Sequence, residues 1–455
     1  MSRTIFAEFA LTEAGWARDV CVTVGDAGFI DSVEPANRDG ATSVGVLLPA
    51  AGNLHSHGFQ RALAGLAEAR GPAGSDDFWS WRDLMYRFLA ELGPDEVEAI
   101  AARAQMEMLE AGFASVGEFH YLHHQADGTP YDQPAELTRR LLGAAAQTGI
   151  GFTHLPVLYM RGGLDGRPLA GGQRRFGCDP DGFARLYEAC AESLVDCPAD
   201  FRLGVAPHSL RAVSPEGLEF ATRLAGDAPI HIHIAEQVAE VEAVESALGA
   251  RPVQWLLDNA PVDERWCLVH ATHVTDDECD AVAAAGSVVG ICPVTEADLG
   301  DGIFDAVRFA GAGGRFGVGT DSNIRISLTE ELRMLEYSQR LRDRRRVLLA
   351  DQDRSCGRLL YERAAWAGAQ ALGRDAGRIA PGALADLVAL DAESALLAGL
   401  SGDRLLDAWI FAGDDRAVTD IWAAGRHVVR DGRHIRRDEI VRRFASVIRD
   451  IRARL

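Results

Sequence analysis

The chain has 455 residues and a formal net charge of −21, and all 46 of its basic residues are arginine. The acidic surface opposes nucleic-acid binding, which needs a positive face, and a chain without lysine cannot form a Schiff base or a P-loop lysine contact. No apolar run is long enough to cross a membrane, and the first residues include acidic side chains where a signal peptide has an apolar core. We therefore expect a cytoplasmic protein without membrane or nucleic-acid partners.

Both ends of the chain have the pattern of a small β-domain. Residues 1–48 alternate short apolar pieces with Gly, Asn and Asp turns, and residues 378–435 have the same character. We predict that the two ends fold together as one small β-sandwich domain. A last helix is predicted over residues 436–455, because apolar side chains recur there at helical spacing with arginines on the opposite face.

The middle of the chain, residues 49–377, alternates short apolar runs with segments of helical period such as 95–111 and 328–348. The apolar runs include GFTHLPVLYM, FRLGVAPHS, APIHIHIAE, RWCLVHATH, SVVGICPVT and RFGVGTDSN. Repeated strand-then-helix units predict a parallel sheet of the α/β class, and their number favours a closed (β/α)8 TIM-like barrel. Polar residues at the carboxyl ends of these strands would then lie on the catalytic edge of the barrel.

Two histidines one residue apart follow the first apolar run, in LPAAGNLHSHGFQ. At the end of a strand, His55 and His57 leave the same face of the backbone and can bind one ion. The pair alone is explained equally well as structural or as a chance spacing. Three further residues at or near strand ends, His233, His270 and Asp321, favour a metal site. Nitrogen and oxygen ligands that converge from separate strands suit catalytic Zn²⁺ or another borderline divalent ion.

Six motifs occur in an order that resembles one enzyme superfamily. They are NLHSH, APHSLRAVSPE, HIHIAEQ, LVHATHV, CPVTEADLGDGIF and GVGTDSNIRISLTEELRMLEYSQRLRDRRR. Together they resemble the amidohydrolase superfamily, and most closely its formimidoylglutamate deiminases. The resemblance covers nearly the whole chain, and it implies the barrel fold, a bound metal and a hydrolase that acts on a C–N bond.

The resemblance also implies the metal ligands and the catalytic residues. His55, His57, His233 and Asp321 would bind one Zn²⁺ per chain, with Fe²⁺ and Mn²⁺ as alternatives. The carboxylated lysine that bridges two metals in binuclear relatives cannot form in this chain, so one metal is expected, while a glutamate bridge stays open as the alternative. Glu236 would be the general acid and base, although its position alone also suits the first turn of a helix. His270 would steady the attacking water or the developing tetrahedral centre, and Asp321 would act as both ligand and proton acceptor.

The implied reaction converts N-formimidoyl-L-glutamate into N-formyl-L-glutamate and ammonia, as a step of histidine degradation. This small-molecule substrate is a dicarboxylate, so arginines that bind carboxylates through two hydrogen bonds are apt partners. We expect Arg82 and Arg211 in that role. The further expected contacts are Gln60, Tyr121 and His208. The resemblance also implies a homodimer.

Two other functions stay open at this point. A sister deaminase of the same superfamily would act on guanine, a cytosine-like base or an amino-triazine, with the same metal ligands but without a need for both arginines. A non-catalytic scaffold with this fold is less consistent with the sequence, because all four ligand positions are occupied. His231 is expected in the core, and His120, His123 and His124 are expected to be loop histidines rather than a second metal site.

Overall fold

The computed structural model describes residues 3–35, 40–68 and 78–454, with the backbone alone for residues 78–80. The chain begins with four strands of a β-domain. They are β1 (Arg3–Thr12), β2 (Gly15–Val24), β3 (Ile30–Pro35) and β4 (Thr42–Pro49).

The middle of the chain alternates strands and helices, as the apolar runs predict. In chain order these are β5 (Ala51–Ser56), α1 (Phe78–Leu89), α2 (Pro94–Glu110), β6 (Phe113–His120), α3 (Glu136–Thr148), β7 (Gly151–Leu158), α4 (Pro180–Leu194), β8 (Arg202–Leu203), β9 (Ala206–Pro207), α5 (Pro215–Ala225), β10 (Ile230–Ile234), α6 (Val238–Leu248), α7 (Pro252–Asn259), β11 (Trp266–His270), α8 (Asp276–Ala285), β12 (Val288–Ile291), α9 (Pro293–Leu299), α10 (Ala306–Gly311), β13 (Arg315–Val318), α11 (Leu328–Asp343) and α12 (Cys356–Ala371).

The chain then returns to the β-domain and ends in a helix. These last elements are β14 (Leu387–Leu390), α13 (Asp403–Ala412), β15 (Val418–Ala423), β16 (Arg426–Arg430), β17 (Arg433–His434) and α14 (Arg437–Arg452). Short 3-10 helices lie at Gly58–Leu63, Gly171–Arg175 and Asp415–Ala417.

Parallel pairing closes the middle strands into a barrel. Strand β5 pairs with β6, β6 with β7, and β7 with both β8 and β9, while β10, β11, β12 and β13 pair in sequence. Two single bridges join these halves, Val205 with Ile230 and Ser56 with Asp321. Because β8 and β9 are two parts of one interrupted strand, the circuit has eight strand positions. The predicted (β/α)8 barrel is confirmed.

Strands from both chain ends form the second unit, as predicted. They pair in the order β17-β16-β15-β14-β4-β1-β2-β3 within the described residues, and the β1–β4 pair is parallel. Side chains alternate between the two faces of this sheet. On β4, Val46 and Leu48 join the large core shared with the barrel, whereas Leu47 joins a separate core with Ile5 and Val22.

Two segments differ from the sequence expectation. The run FRLGVAPHS is split because Gly204 donates its N–H to His154 of β7, whereas the next residue, Val205, donates to Pro229. Helix α11 ends at Asp343 instead of reaching residue 348, because Arg344 adopts a left-handed backbone with φ of 54°. None of the described helices is long and apolar enough to cross a bilayer.

A buried ionic cluster fastens the β-domain to the barrel. The guanidinium of Arg374, which is 5% exposed, lies 2.9 Å from Asp386 and 3.2 Å from Asp200. Arg426 of β16 contacts the same Asp200 carboxylate at 2.7 Å. Burial favours the neutral form of Asp200, but hydrogen bonds from the two arginines outweigh it and lower the pKa of this carboxyl group.

We predict that Arg374→Leu lowers the free energy of unfolding by about 3–5 kcal/mol, because it leaves buried carboxylates without their main counter-charge. Urea denaturation measures this loss. Arg378→Leu is the matched control, since Arg378 follows on the same segment and its ion pairs with Asp375 and Glu13 are more exposed. Its expected loss is below about 1 kcal/mol. Equal stability of the two variants would contradict the fastening role of Arg374.

Candidate metal centre and active site

The carboxyl ends of the barrel strands carry backbone conformations that side chains rarely adopt. Ala235 follows β10 with φ of 53°, His270 ends β11 with φ of 69°, and Asp321 follows β13 with φ of 42°. Each such backbone conformation destabilises the folded state by about 1–3 kcal/mol, and it persists only where the surrounding structure holds the residue in it. These conformations mark this edge of the barrel as the candidate functional region.

His55, His57, His233 and Asp321 form one buried cluster at this edge. Their potential ligand atoms all lie within 4.8 Å of one another, and each residue is at most 6% exposed. Asp321 Oδ1 lies 3.4 Å from His55 Nε2 and 3.2 Å from His57 Nε2. His233 Nε2 lies 3.1 Å from His55 Nε2. The structure thus brings together the four residues expected to bind a metal.

The protonation of these rings fits a metal site. The carbonyl of Phe119 accepts from His57 Nδ1 at 2.8 Å, and the carbonyl of His208 accepts from His233 Nδ1 at 3.2 Å. A carbonyl can only accept, so each Nδ1 holds the proton and each Nε2 lone pair faces the cluster. Burial lowers the pKa of His55 to about 3 and lowers that of His57 and His233 as well.

Neutral imidazole is the form that binds metals, and it has no proton on the facing nitrogen. Lone pairs that converge on a carboxylate oxygen repel one another unless a cation lies between them. The donor set of three imidazoles and one carboxylate suits Zn²⁺ and similar borderline ions, and it leaves room for water. The residues present therefore fit a catalytic divalent metal.

A polar network keeps the ligands of β5 and β13 in register. Asn53 donates to the Thr320 hydroxyl at 2.6 Å and accepts from the Thr320 N–H at 3.0 Å. Asn323 donates to the carbonyls of His57 and Asp321 at 3.1 and 3.0 Å. The N–H of His57 also donates to the Asp321 carbonyl at 2.9 Å. These bonds hold the left-handed turn that carries Asp321.

The expected catalytic side chains lie beside this cluster. His270 Nε2 is 3.7 Å from Glu236 Oε1 and 3.9 Å from Asp321 Oδ2. Burial raises the pKa of Glu236 to about 7, so this carboxyl group can both take up and release a proton near neutral pH. Burial alone would lower the pKa of His270, but the surrounding carboxylates raise it well above its usual range.

Sequence reasoning missed two buried glutamates that support the site. Glu296 accepts from His270 Nδ1 at 3.2 Å and from the Cys292 N–H at 2.9 Å. Glu118 accepts from the Gly58 N–H at 2.7 Å, directly after the His57 ligand, and burial raises its pKa to about 8. The available signal was a charged residue inside an otherwise apolar strand, VGEFH, and a glutamate in the quoted motif CPVTE.

A cavity with an empty volume of about 610 Å³, partly open to solvent, lies in front of the cluster. Its lining includes all five expected substrate contacts, which are Gln60, Arg82, Tyr121, His208 and Arg211. Gln60 donates to the Tyr121 hydroxyl at 2.9 Å. The Nε of Arg211 is buried and has no hydrogen-bond partner among the described residues. The wall also includes Trp81 and five side chains that the sequence did not single out: Met85, Tyr86, Tyr159, Phe176 and Leu299.

His120 differs from the expected loop histidine, because the apolar run FASVGEFH continues as strand β6 to this residue; the ring is 1% exposed, and neither nitrogen has a hydrogen-bond partner among the described residues. His123 and His124 face the carbonyls of Val157 and Gly177 at 2.8 and 2.7 Å. His231 of β10 faces the carbonyl of Ala371 at 2.7 Å. The rings of His123, His124 and His231 are therefore bound to backbone, and none of them belongs to a potential metal-binding group among the described residues.

We predict that a chelator lowers the unfolding temperature of the protein and that added Zn²⁺ restores it. Binding to the folded state alone adds about 2.7 kcal/mol when the free ion is at 100 times its Kd. His233→Ala should abolish this metal-dependent increase, whereas His231→Ala on the same strand should keep it. Differential scanning calorimetry with and without the ion makes the comparison. An unfolding temperature of the parent protein that is the same with and without the metal would contradict the site.

Two family models match the sequence. The Amidohydrolase family model matches residues 46–428, and the model of the N-terminal domain of formimidoylglutamate deiminase HutF matches residues 2–42. The formimidoylglutamate deiminase of Pseudomonas aeruginosa is 49% identical over 453 residues, which cover 98% of this chain and 99% of that protein.

Solved structures agree with this similarity. The crystal structure of an amidohydrolase from Brucella melitensis has a TM-score of 0.94 and 48% identity, and the match covers 99% of each chain. An adenosine deaminase from Xanthomonas campestris, solved with bound zinc, is 24% identical, has a TM-score of 0.81 and shares the fold over 99% of this chain and 98% of that one. The chain is therefore a member of the amidohydrolase family.

Proposed function

We propose that the protein hydrolyses N-formimidoyl-L-glutamate to N-formyl-L-glutamate and ammonia, with one bound Zn²⁺, for which Fe²⁺ or Mn²⁺ could substitute. Water adds across the C=N bond, and the terminal nitrogen leaves as ammonia. The observation that carries this proposal is one cavity that is lined both by His57, His233 and Asp321 of the His–His–His–Asp cluster and by two arginines, Arg82 and Arg211. The full-length similarity to a formimidoylglutamate deiminase supports the same reaction.

In this proposal His55, His57, His233 and Asp321 hold the ion. A divalent ion in such a site supplies Lewis acidity, which lowers the pKa of water and makes it a nucleophile near neutral pH. The chain then has to move protons and keep the reacting groups in position.

Glu236 carries the proton. Its carboxylate accepts the proton of the attacking water and then donates it to the departing nitrogen. A pKa near 7 allows both halves of this transfer without a large energy difference. His270 lies between Glu236 and Asp321 and can stabilise the charge that develops on the attacking oxygen. Glu296 holds the His270 ring through Nδ1, so that Nε2 faces the reaction.

The two arginines account for the choice of substrate. A chain with a net charge of −21 repels a dianion at long range, so binding depends on cations placed inside the cavity. Arg82 and Arg211 supply them, and Gln60, Tyr121 and His208 can add hydrogen bonds. Guanine, cytosine-like bases and amino-triazines have no carboxylates, so these arginines favour the deiminase over a sister deaminase.

The cellular setting is part of the proposal. All eight cysteines are free thiols and six of them are buried, which suits the reducing cytoplasm. The homodimer that the resemblance implies stays a prediction, as does the expectation that the protein binds no nucleic acid or membrane.

We predict that the purified protein releases ammonia from N-formimidoyl-L-glutamate and leaves guanine unchanged. Glu236→Gln should lower kcat by about 10²–10⁴-fold without loss of metal, because general acid–base catalysis is removed. Glu242→Gln, an exposed change on α6, is the control and should keep the parent rate. Enzymatic ammonia assay and elemental analysis give both quantities. Turnover of guanine alone would favour the sister deaminase, and near-normal turnover by Glu236→Gln would remove Glu236 from the mechanism.

We predict that Arg211→Ala weakens transition-state binding by about 2–5 kcal/mol, because it leaves a substrate carboxylate unpaired. Two truncated substrates locate the contact: N-formimidoyl-4-aminobutyrate lacks the α-carboxylate, and N-formimidoyl-2-aminobutyrate lacks the γ-carboxylate. The variant should lose kcat/KM on the full substrate and on only one of these. Arg223→Ala, an exposed change on α5, serves as the control. Equal losses on both truncated substrates would assign Arg211 a purely structural role.

A further inference from the structure

A second group of metal-binding side chains lies directly beside the first. The potential ligand atoms of His270, Cys292 and Asp321 all lie within 4.8 Å of one another, and each residue is at most 5% exposed. The three residues stand at or just after the carboxyl ends of β11, β12 and β13, which are neighbours in the barrel. Three neighbouring parallel strands therefore bring an imidazole, a thiol and a carboxylate close together.

Asp321 belongs to both groups through different oxygens. Its Oδ1 faces His55 Nε2 and His57 Nε2 at 3.4 and 3.2 Å, whereas its Oδ2 faces His270 Nε2 at 3.9 Å. A carboxylate that turns one oxygen to each of two sites can bridge two ions. The left-handed backbone at Asp321 and its bonds to β5 hold it in this orientation.

The thiol of Cys292 packs in a small apolar cluster. Its Sγ makes no hydrogen bond to another described residue, although the side chain is fully buried. Its backbone N–H is held by Glu296 Oε1 at 2.9 Å, the same oxygen that faces His270 Nδ1. Glu296 thereby keeps the sulfur and the imidazole in a constant relation to each other.

The donor set points to a particular class of ion. Thiolate and imidazole are the preferred ligands of Zn²⁺ and of softer divalent ions such as Cd²⁺, and they disfavour Mg²⁺ and Ca²⁺. Nearby carboxylates lower the energy of a second positive charge. Glu236 Oε1 lies 3.7 Å from His270 Nε2, close enough to supply a further oxygen.

We propose that His270, Cys292 and Asp321 form a second site for a thiophilic divalent ion, and that its occupation inhibits the enzyme. When the metal–sulfur bond forms, the thiol proton passes to solvent, and no electron transfer is involved. Inhibition follows because the ion occupies His270 Nε2 and Asp321 Oδ2, the atoms that face Glu236 and the reacting groups. The inhibition rests on the proposed function, whereas the binding of the ion does not.

Binding is tested on the full-length protein loaded with one equivalent of Zn²⁺. Cd²⁺ is added in steps, and thiolate-to-cadmium absorption in the ultraviolet is recorded together with the cadmium retained after gel filtration. A parent variant, Cys178→Ala/Cys197→Ala, removes the two thiols that are not fully buried. We expect this parent to bind one further equivalent and to develop the absorption band.

Cys292→Ala in that background should bind no further equivalent and should develop no band, while its zinc content stays at one. Cys292→Ser, which nearly preserves the side-chain shape, should behave in the same way and guards against a folding defect. Cys267→Ala is the matched control, because Cys267 is also fully buried and packs in the same apolar cluster as Cys292. It should keep both the band and the second equivalent.

Activity is measured in parallel. Excess Zn²⁺ or Cd²⁺ should lower the rate of the Cys178→Ala/Cys197→Ala protein more than 10-fold. Cys292→Ala in that background should have the same rate without excess ion and should keep it when the ion is added. A missing second equivalent in the parent, or a band that survives in Cys292→Ala, would overturn the proposed site. A band without inhibition would overturn the inhibitory role alone. Because the spectroscopic arm needs no substrate, failure of the proposed reaction would be seen separately.

Discussion

The structure depends on a convergence of electron-rich atoms that a bound cation stabilises. Three imidazole nitrogens and a carboxylate oxygen face one another within 4.8 Å in a buried site. Like partial charges at this distance repel strongly where the dielectric constant is low. The left-handed turns at Ala235, His270 and Asp321 and the Asn53–Thr320–Asn323 network hold the groups together despite this repulsion. The fold thus holds the metal-binding groups in position before a metal binds.

The same low-dielectric edge explains how acid–base chemistry can work there. Burial brings the pKa of Glu236 to about 7, while the neighbouring carboxylates raise that of His270. Neighbouring groups whose pKa values are shifted by different causes can take separate acid and base roles. Arg82 and Arg211 line the same cavity and give a strongly acidic protein a local positive field. Acidic and basic side chains therefore line one cavity.

Much of this arrangement could be predicted from sequence, since it follows local rules. His55 and His57 share one face because strand side chains alternate, and His233, His270 and Asp321 end apolar runs that had to be barrel strands. Glu118 and Glu296 could not be assigned in this way. Their partners, Gly58 and His270, come from other parts of the chain, so their roles arise only when distant strands pack together.

Two irregular elements could not be predicted from the sequence either. The interrupted β8–β9 strand arises because consecutive N–H groups pair with opposite neighbours, β7 on one side and the residues before β10 on the other. The early end of α11 depends on the single backbone conformation of Arg344. Hydrophobic periodicity carries no information on either choice, since it records which residues are buried and not which neighbour each N–H meets.

The central claim is that the buried cluster binds one ion. Anomalous diffraction at the zinc absorption edge, on crystals grown without added metal, tests it most directly. We predict a single strong anomalous peak per chain. It should lie within bonding distance of Nε2 of His55, His57 and His233 and of Oδ1 of Asp321. A native crystal with no anomalous peak at these four atoms at any first-row metal edge, even after soaking with Zn²⁺, would contradict it.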